Sequence, residues 1–244
     1  MICVIPSSGR ASTMETHKLF RESFVCVPES QADEYRRYLC TSSICEIIPH
    51  PDTVYGMGQK RQWILDNFDD DIIFMADDDI ECLVYMGGEE GYAGGLRTKV
   101  KDPDHIWEVL LNTATIAREI GTNLFGFNEI ADIRKFDYLQ PFAPRKRING
   151  FAMGIIKDDQ RFDPRLVVKQ DYDFFLMSLY WKRFIWRDDR YAFLAKHYTN
   201  KGGLCSHRST NKEIECIKIL QQKFGKQVVG TVKDKPWKVV IKKL

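Results

Sequence analysis

Three adjacent aspartates, Asp77-Asp78-Asp79, carry the strongest chemical signal in the sequence. They follow the apolar run Ile72–Ala76, so a buried strand would deliver them straight to its rim. Neighbouring carboxylates repel one another, and a divalent cation relieves that repulsion best. Mg²⁺ or Mn²⁺ takes oxygen ligands and is commonly shared between one or two carboxylates and substrate phosphates. In a D-x-D arrangement Asp77 and Asp79 reach the same side as the chain turns off the strand. A solvated acidic turn is the plainer reading, but basic residues on two other loops argue for a site. One loop is Pro6-Ser7-Ser8-Gly9-Arg10, and the other is Gly56-Met57-Gly58-Gln59-Lys60-Arg61. Arg10, Lys60 and Arg61 would lie across the rim and could cancel the charge of a diphosphate, while Gly56 and Gly58 allow close backbone approach.

A second constellation is Gln170-Asp171-Tyr172-Asp173 at an expected helix start. A carboxylate there is stabilised as the anion and stays available as a base near neutral pH; simple N-capping by Asp171 is the alternative. Asn149-Gly150 precedes a strand and could set an amide and a bare backbone against a sugar, although a plain turn fits equally well. Downstream, His197 and His207 are candidate metal or phosphate ligands, with a structural imidazole the alternative for each. The sequence contains no Walker A loop, dinucleotide glycine fingerprint, H-E-x-x-H or G-x-S-x-G, which argues against the commonest nucleotidases, dehydrogenases, zincins and serine hydrolases.

The elements that must position these residues follow from the pattern. Apolar runs at Ile2–Ile5, Phe24–Val27, Ile44–Ile48 and Ile72–Ala76 alternate with helical stretches at about 12–21, 30–40 and 57–68. That alternation predicts parallel strands, right-handed crossovers and a doubly wound sheet covered on both faces. A Gly-rich loop is expected from Gly87 to Gly95. A helix follows, with Asp102 as cap, Pro103 in its first turn, Ile106, Leu110, Ala114 and Ala117 on one face, and Gly121 at its end. Strands are expected at Leu124–Phe127, Phe151–Ile156 and Tyr191–Ala195, and a helix from Asp171 to about Lys182. The last helix opens with Thr210 and Glu213 in capping-box spacing and closes near Gly225. Short strands at 227–232 and 237–241 finish the chain. The expected organisation is a single α/β domain, with residues 1–85 as a nucleotide-binding half, 86–225 as an acceptor half and 226–244 as a basic extension.

The composition, 244 residues with 44% hydrophobic, 29% charged and a net charge of +2, describes a soluble globular chain with ample material for a core. Disordered, coiled-coil and collagen-like classes are excluded. No apolar stretch approaches the ~20 residues needed to span a bilayer, so no membrane partner is expected. The first residues show no secretory signal. Between Lys218 and Leu244 there are eight Lys against one Asp, a local +7 that leaves −5 for the remainder of the +2 total. Such a segment suits a polyanion; lysines protecting an edge strand are the alternative. Cys3, Cys26 and Cys82 sit among apolar neighbours and read as buried thiols in a reducing cytoplasm rather than disulfides or zinc ligands.

The order of these features resembles the GT-A class of nucleotide-sugar-dependent glycosyltransferases. It shows IPSSGR after the first strand, GMGQKRQWIL before the fourth, FMADDDIE as the D-x-D, NGFAMGI, and KQDYDFFL at the position of the family's Glu-Asp base motif. KHYTNKGGLCSHR resembles the family's C-terminal segment. More narrowly, the sequence is similar to the TET-associated glycosyltransferases of bacteriophages, which add sugars to 5-hydroxymethylated pyrimidines in phage DNA. The resemblance spans about residues 1–225. It implies a Rossmann-like GT-A fold with a mostly parallel central sheet and a UDP-linked sugar donor. It also implies a donor site from Pro6, Ser7, Arg10, Gly58, Lys60, Arg61, Asp77, Asp78, Asn149 and Gly150. Within that site Ser7 and Arg10 would hold the nucleotide, Gly58 and Arg61 would lie near base or diphosphate, and Asp77 near the ribose. Mn²⁺ or Mg²⁺ would sit on Asp79, with Asp77 and His197 as further ligands. Asp171 would be the base. Gln170 departs from the family pattern, where an acidic residue precedes that Asp, so Asp173 stays a second candidate. For a DNA acceptor carrying 5-hydroxymethylcytosine, the contacts expected are Arg145, Lys146, Arg147, Arg208, Lys235 and Lys238. A polysaccharide or lipid-linked acceptor, and a sugar nucleotidyltransferase using the same metal site, are the alternatives.

Overall fold

A computed structural model describes residues 1–39, 45–87, 97–196 and 209–242. The first strand, β1 (Ile2–Pro6), is flanked by β2 (Ser23–Pro28) and β4 (Ile72–Ala76), and β3 (Cys45–His50) lies outside β2. These four strands run parallel. Helices α1 (Ala32–Leu39) and α2 (Gly56–Asn67) make the crossovers. Beyond β4 the sheet changes character. Strand β8 (Ala152–Ile156) pairs antiparallel with β4 and with β7 (Leu124–Asn128). Strand β9 (Trp186–Ala195) runs parallel to β7 and antiparallel to β5 (Ile80–Tyr85), and β6 (Thr98–Val100) closes the edge. Among the described residues the sheet order is β3-β2-β1-β4-β8-β7-β9-β5-β6. The α/β architecture with helices on both faces of a central sheet is the one expected.

Strand parity explains the double layer. Cys3, Ile5, Val25, Val27, Phe74 and Ala76 face one core, which α1 and α3 (Pro103–Glu119) complete. Val4, Cys26, Ile73 and Met75 face the other, completed by α2, α4 (Gln170–Lys182) and α5 (Thr210–Phe224). Because successive side chains point to opposite faces and both faces are covered, the strands read as unbroken apolar runs. The described cysteines are free and buried, as the sequence suggested. Helix α3 forms as expected, with Asp102 accepting from the Asp104 amide at 3.2 Å and Pro103 in the first turn.

Several local expectations give way to tertiary contacts. The stretch 12–21 holds only a short 3₁₀ turn, Thr16–Leu19. The Thr16 hydroxyl bonds the Ile80 amide and carbonyl at 2.9 and 3.2 Å, tying this loop to the start of β5. Strands β5 and β6 were not legible, because β5 finds its partner β9 about a hundred residues later. Helix α5 is capped by Ser209, whose hydroxyl accepts from the Lys212 amide at 3.3 Å, not by Thr210. Glu213 therefore falls one position beyond a capping box and pairs with Lys169 instead. Part of the Gly87–Gly95 loop, residues 88–96, lies outside the described residues. The two last strands, β10 (Val229–Val232) and β11 (Lys235–Ile241), form a separate antiparallel hairpin against α5. Among the described residues no helix is long and apolar enough to cross a membrane.

Candidate active site

A pocket of about 540 Å³ opens at the carboxyl ends of β1 to β4, where ligands of open parallel sheets bind. The size suits a nucleotide-class ligand. Its wall is built from Pro6, Ser7, Ser8 and Arg10, the turn Asp77–Asp79, Asn149–Phe151 and Val168–Asp171, with His50 and Tyr55 also lining it.

The loop after β1 is held by α1. Tyr35 bonds the Ser7 hydroxyl at 2.7 Å and accepts from the Arg10 amide at 3.0 Å, while Gln31 accepts from the Gly9 amide at 2.8 Å. Gly9 takes φ +66°, which L side chains rarely adopt. Ser7 in turn donates to Asp78 at 2.5 Å. The Ser7 hydroxyl is thus committed to the acidic turn. Arg10 pairs with Asp78 and reaches Asp79 at 3.4 Å. Arg61 lies beneath the pocket, 1% exposed, and bonds Asp77 at 3.2 Å and the Gly150 carbonyl. Lys60 donates to the Ser7 carbonyl at 2.9 Å. The rim cations were expected to meet a diphosphate. They meet the aspartates and the loop backbone, because buried charges must find partners within the fold. Burial also lowers the pKa of Lys60.

The three aspartates have separate jobs. Asp78 is buried and folds back onto Ser7 and Arg10; burial raises its pKa against those two contacts. Asp77 opens to the pocket, and burial, helped by Asp79 and Asp78 and opposed by Arg61, pushes its carboxyl up to about 7. The Asp79 carboxylate is approached by Arg10 at 3.4 Å. The turn is braced by the Asp77 amide on the Phe151 carbonyl at 2.7 Å and by the Lys196 amide on the Asp79 carbonyl at 2.9 Å. Strand β9 therefore ends beside it. Among the described residues no three His, Cys, Asp or Glu side chains form a metal cage. His197 and His207 lie outside the described residues. Two oxygen donors facing one pocket nonetheless suit a hard cation, which commonly uses one or two carboxylates plus substrate phosphates.

Asp171 sits in the second position of α4 and lines the pocket. It is not the cap: that position is Lys169, at φ 63° and without a side-chain capping bond. Asp171 accepts from Arg147 at 2.6 Å, Arg147 pairs with Glu129 at 2.9 Å, and its guanidinium lies 4.2 Å over the Tyr172 ring. Arg147, grouped by sequence with DNA contacts, is thus committed to Asp171. Asp173 points elsewhere. It is 1% exposed, pairs with Lys223 of α5 at 2.6 Å and does not line the pocket. Gly58 does not line it either; a Cβ there would stand 2.8 Å from the Leu166 carbonyl, so its smallness serves packing. Gly150 does line it, with an added Cβ 2.8 Å from that of Asp171.

Sequence reasoning missed His50, Tyr55 and Lys169 in the wall and gave Gln170, which it had noted, no place there. The end of β3 signalled His50, because that rim is where ligands bind. Gln170 is buried with an unpartnered Oε1.

A second cleft, of about 640 Å³, lies across the Arg147–Asp171 contact. Arg145, Lys146, Arg147 and Lys238 all line it, together with Lys135 and Lys242. Lys235 is exposed on the same hairpin but does not line it, and Arg208 lies outside the described residues.

The strand order, the acidic turn after β4 and the pocket over the parallel strand ends fit the GT-A fold of glycosyltransferases. The sequence matches the family TET-Associated Glycosyltransferase over residues 1–204, and the chain belongs to that family. The structure of S. aureus TarS 1–349 in complex with UDP-GlcNAc is similar at TM-score 0.50 and 11% identity, over 91% of this chain and 67% of that one. Another TarS structure gives 0.52 and 13%, but the match spans 91% of this chain and only 39% of that one. Glucosyl-3-phosphoglycerate synthase from Mycobacterium tuberculosis, in complex with Mn²⁺, UDP-glucose and phosphoglyceric acid, gives 0.51 and 13% over 95% and 83%. No curated protein matches the sequence.

Proposed function

We propose that this enzyme moves a sugar from a UDP-linked donor to the hydroxyl of 5-hydroxymethylcytosine in phage DNA, acting in the host cytoplasm. One observation carries the reading: Asp171 stands where the acidic pocket meets the basic cleft, bonded to Arg147 at 2.6 Å. Family membership supports the sugar transfer and the DNA acceptor. The UDP-sugar complexes of the similar structures support the donor.

In this reading residues 1–85 hold the donor, with the nucleotide against Pro6–Arg10 and the ribose near Asp77. Asn149 and the bare Gly150 face the sugar. Asp79 and Asp77, with His197, would hold Mn²⁺ or Mg²⁺. Bound there, the cation supplies neutralisation of charge on the departing diphosphate. Asp171 accepts the proton of the acceptor hydroxyl as its oxygen bonds the anomeric carbon and the bond from that carbon to the diphosphate oxygen breaks. Arg147 fixes the carboxylate's orientation, and Glu129 offsets part of the guanidinium charge. A base inside a duplex cannot reach a rim-level anomeric carbon, so the target is flipped out or single-stranded.

The test is incubation with a panel of UDP-sugars, Mn²⁺, and DNA with or without 5-hydroxymethylcytosine, followed by nucleoside mass spectrometry. The expected result is a hexosylated nucleoside only from hydroxymethylated DNA. Inert DNA together with a modified glycan acceptor would overturn the acceptor, and release of pyrophosphate from a nucleoside triphosphate would overturn the reaction class.

A further inference from the structure

The C-terminal hairpin lies beyond residues 1–204, the portion that matches the family, yet it builds one wall of the basic cleft. Its placement is fixed. Val229 and Val239 are buried in the core with Cys216, Ile217 and Leu220 of α5, and the Lys242 amide bonds the Val228 carbonyl at 3.0 Å. With Val239 pinned inward, Lys238 and Lys242 are left exposed and line the cleft. Lys135 and Arg145 line it from the other side.

Four of the cations gathered in this cleft have no counter-charge among the described residues. Among the described residues, none of Lys135, Arg145, Lys238 and Lys242 forms an ion pair with a carboxylate. The Lys242 ammonium reaches only the Lys226 carbonyl, at 3.1 Å. Deeper in the cleft the charges are satisfied: Arg187 pairs with Asp189 at 2.6 Å, and Arg147 with Asp171 and Glu129. Like charges converging without counter-charges are costly to hold together, and a bound polyanion removes that cost. Lysines that only guard an edge strand need not converge on a cleft. Lys238 and Lys242 are four residues apart on one extended segment, about 13 Å at the usual rise, which spans several phosphates of a strand.

We infer that the hairpin is a clamp for the phosphodiester backbone of the acceptor strand, with Lys238 and Lys242 as phosphate contacts opposite Lys135 and Arg145. The clamp rests on the reading that the acceptor is DNA. A strand held there lies against Arg147 and Tyr172, one side chain away from Asp171, so the hairpin sets which nucleotide reaches the base.

The test is fluorescence anisotropy with a labelled oligonucleotide, single-stranded and duplex, titrated across salt concentrations. Lys238→Glu combined with Lys242→Glu should weaken binding at least tenfold in low salt and reduce the slope of log affinity against log salt by about two, one per lost contact. Lys235→Glu, on the same hairpin but outside the cleft, should bind as wild type. Thermal unfolding of the double variant should match wild type, since both lysines are exposed. A double variant that binds DNA with wild-type affinity and slope overturns the clamp; if it and the wild type still hexosylate hydroxymethylated DNA, the acceptor reading survives. A wild-type enzyme that ignores DNA but binds a glycerol phosphate polymer through these lysines overturns both.

Discussion

The acidic pocket, the proposed donor site, and the basic cleft lie on either side of one side-chain contact, and they handle charge in opposite ways. In the pocket nearly every charge is paired within the fold: Arg10 with Asp78 and Asp79, Arg61 with Asp77. In the cleft Lys135, Arg145, Lys238 and Lys242 lack carboxylate partners among the described residues, while Lys146 sits 3.5 Å from Asp189. The pocket is therefore organised before any ligand arrives, at the expense of a tight and burial-sensitive network. The cleft contributes little to holding the fold together and is free to take a polyanion. One region trades stability for preorganisation, and the other keeps its charge for a partner.

Four changes would break or sharpen this contrast. Asp171→Asn has the largest expected effect, because it removes the proposed base where the two regions meet. Turnover should fall by about 10²–10⁴-fold, the usual worth of a positioned base, while affinity for UDP and DNA holds; steady-state kinetics beside titrations would show it. The same loss from Asp173→Asn instead would move the base to the helix's other face. Next, removal of divalent metal by EDTA, or Asp79→Asn, should cut transfer by roughly 10²–10³-fold, corresponding to several kcal/mol of charge stabilisation. Undiminished activity in EDTA would reject the metal assignment.

Third, Arg10→Met leaves Asp78 buried without its cation and should cost about 3–5 kcal/mol in chemical denaturation. Lys238→Met in the cleft should stay within about 0.5 kcal/mol, as exposed substitutions do. Equal costs would erase the distinction between the two regions. The smallest effect concerns Asp173, whose pKa is raised by burial against the pull of Lys223. A carboxyl raised in the fold favours its neutral form, so its ionisation subtracts stability as pH climbs from the unfolded value through the folded one. Asp173→Asn should therefore gain on wild type, by about 1 kcal/mol, between pH 4 and neutrality and lose that advantage below pH 4. An advantage that grows toward acid would contradict the burial argument.

The pocket was more legible than the cleft for a physical reason. Its residues sit at the ends of short-range βα units, where apolar runs and turns mark the strand ends in order, so Pro6–Arg10, Lys60, Arg61 and the three aspartates could be placed together. Their pairing could not: which carboxylate Arg10 or Arg61 meets depends on burial depth. Asp171 and Asp173 look equivalent in sequence, and only the rotation of α4 against α5 sends one to the pocket and the other to Lys223. The cleft is assembled from segments nearly a hundred residues apart. Sequence revealed the basic character of Arg145-Lys146-Arg147 and of the C-terminal strand. It did not reveal that both line one cleft, that Arg147 is held by Asp171, or that Lys235 does not line the cleft.

The most direct measurement is a paired titration of UDP with Mn²⁺ and of hydroxymethylated DNA on two variants. Asp79→Asn should lose UDP affinity and keep DNA affinity; Lys238→Glu with Lys242→Glu should lose DNA affinity and keep UDP affinity within about twofold. Loss of both ligands together in either variant would contradict the division of the molecule into a self-paired donor pocket and an open acceptor cleft.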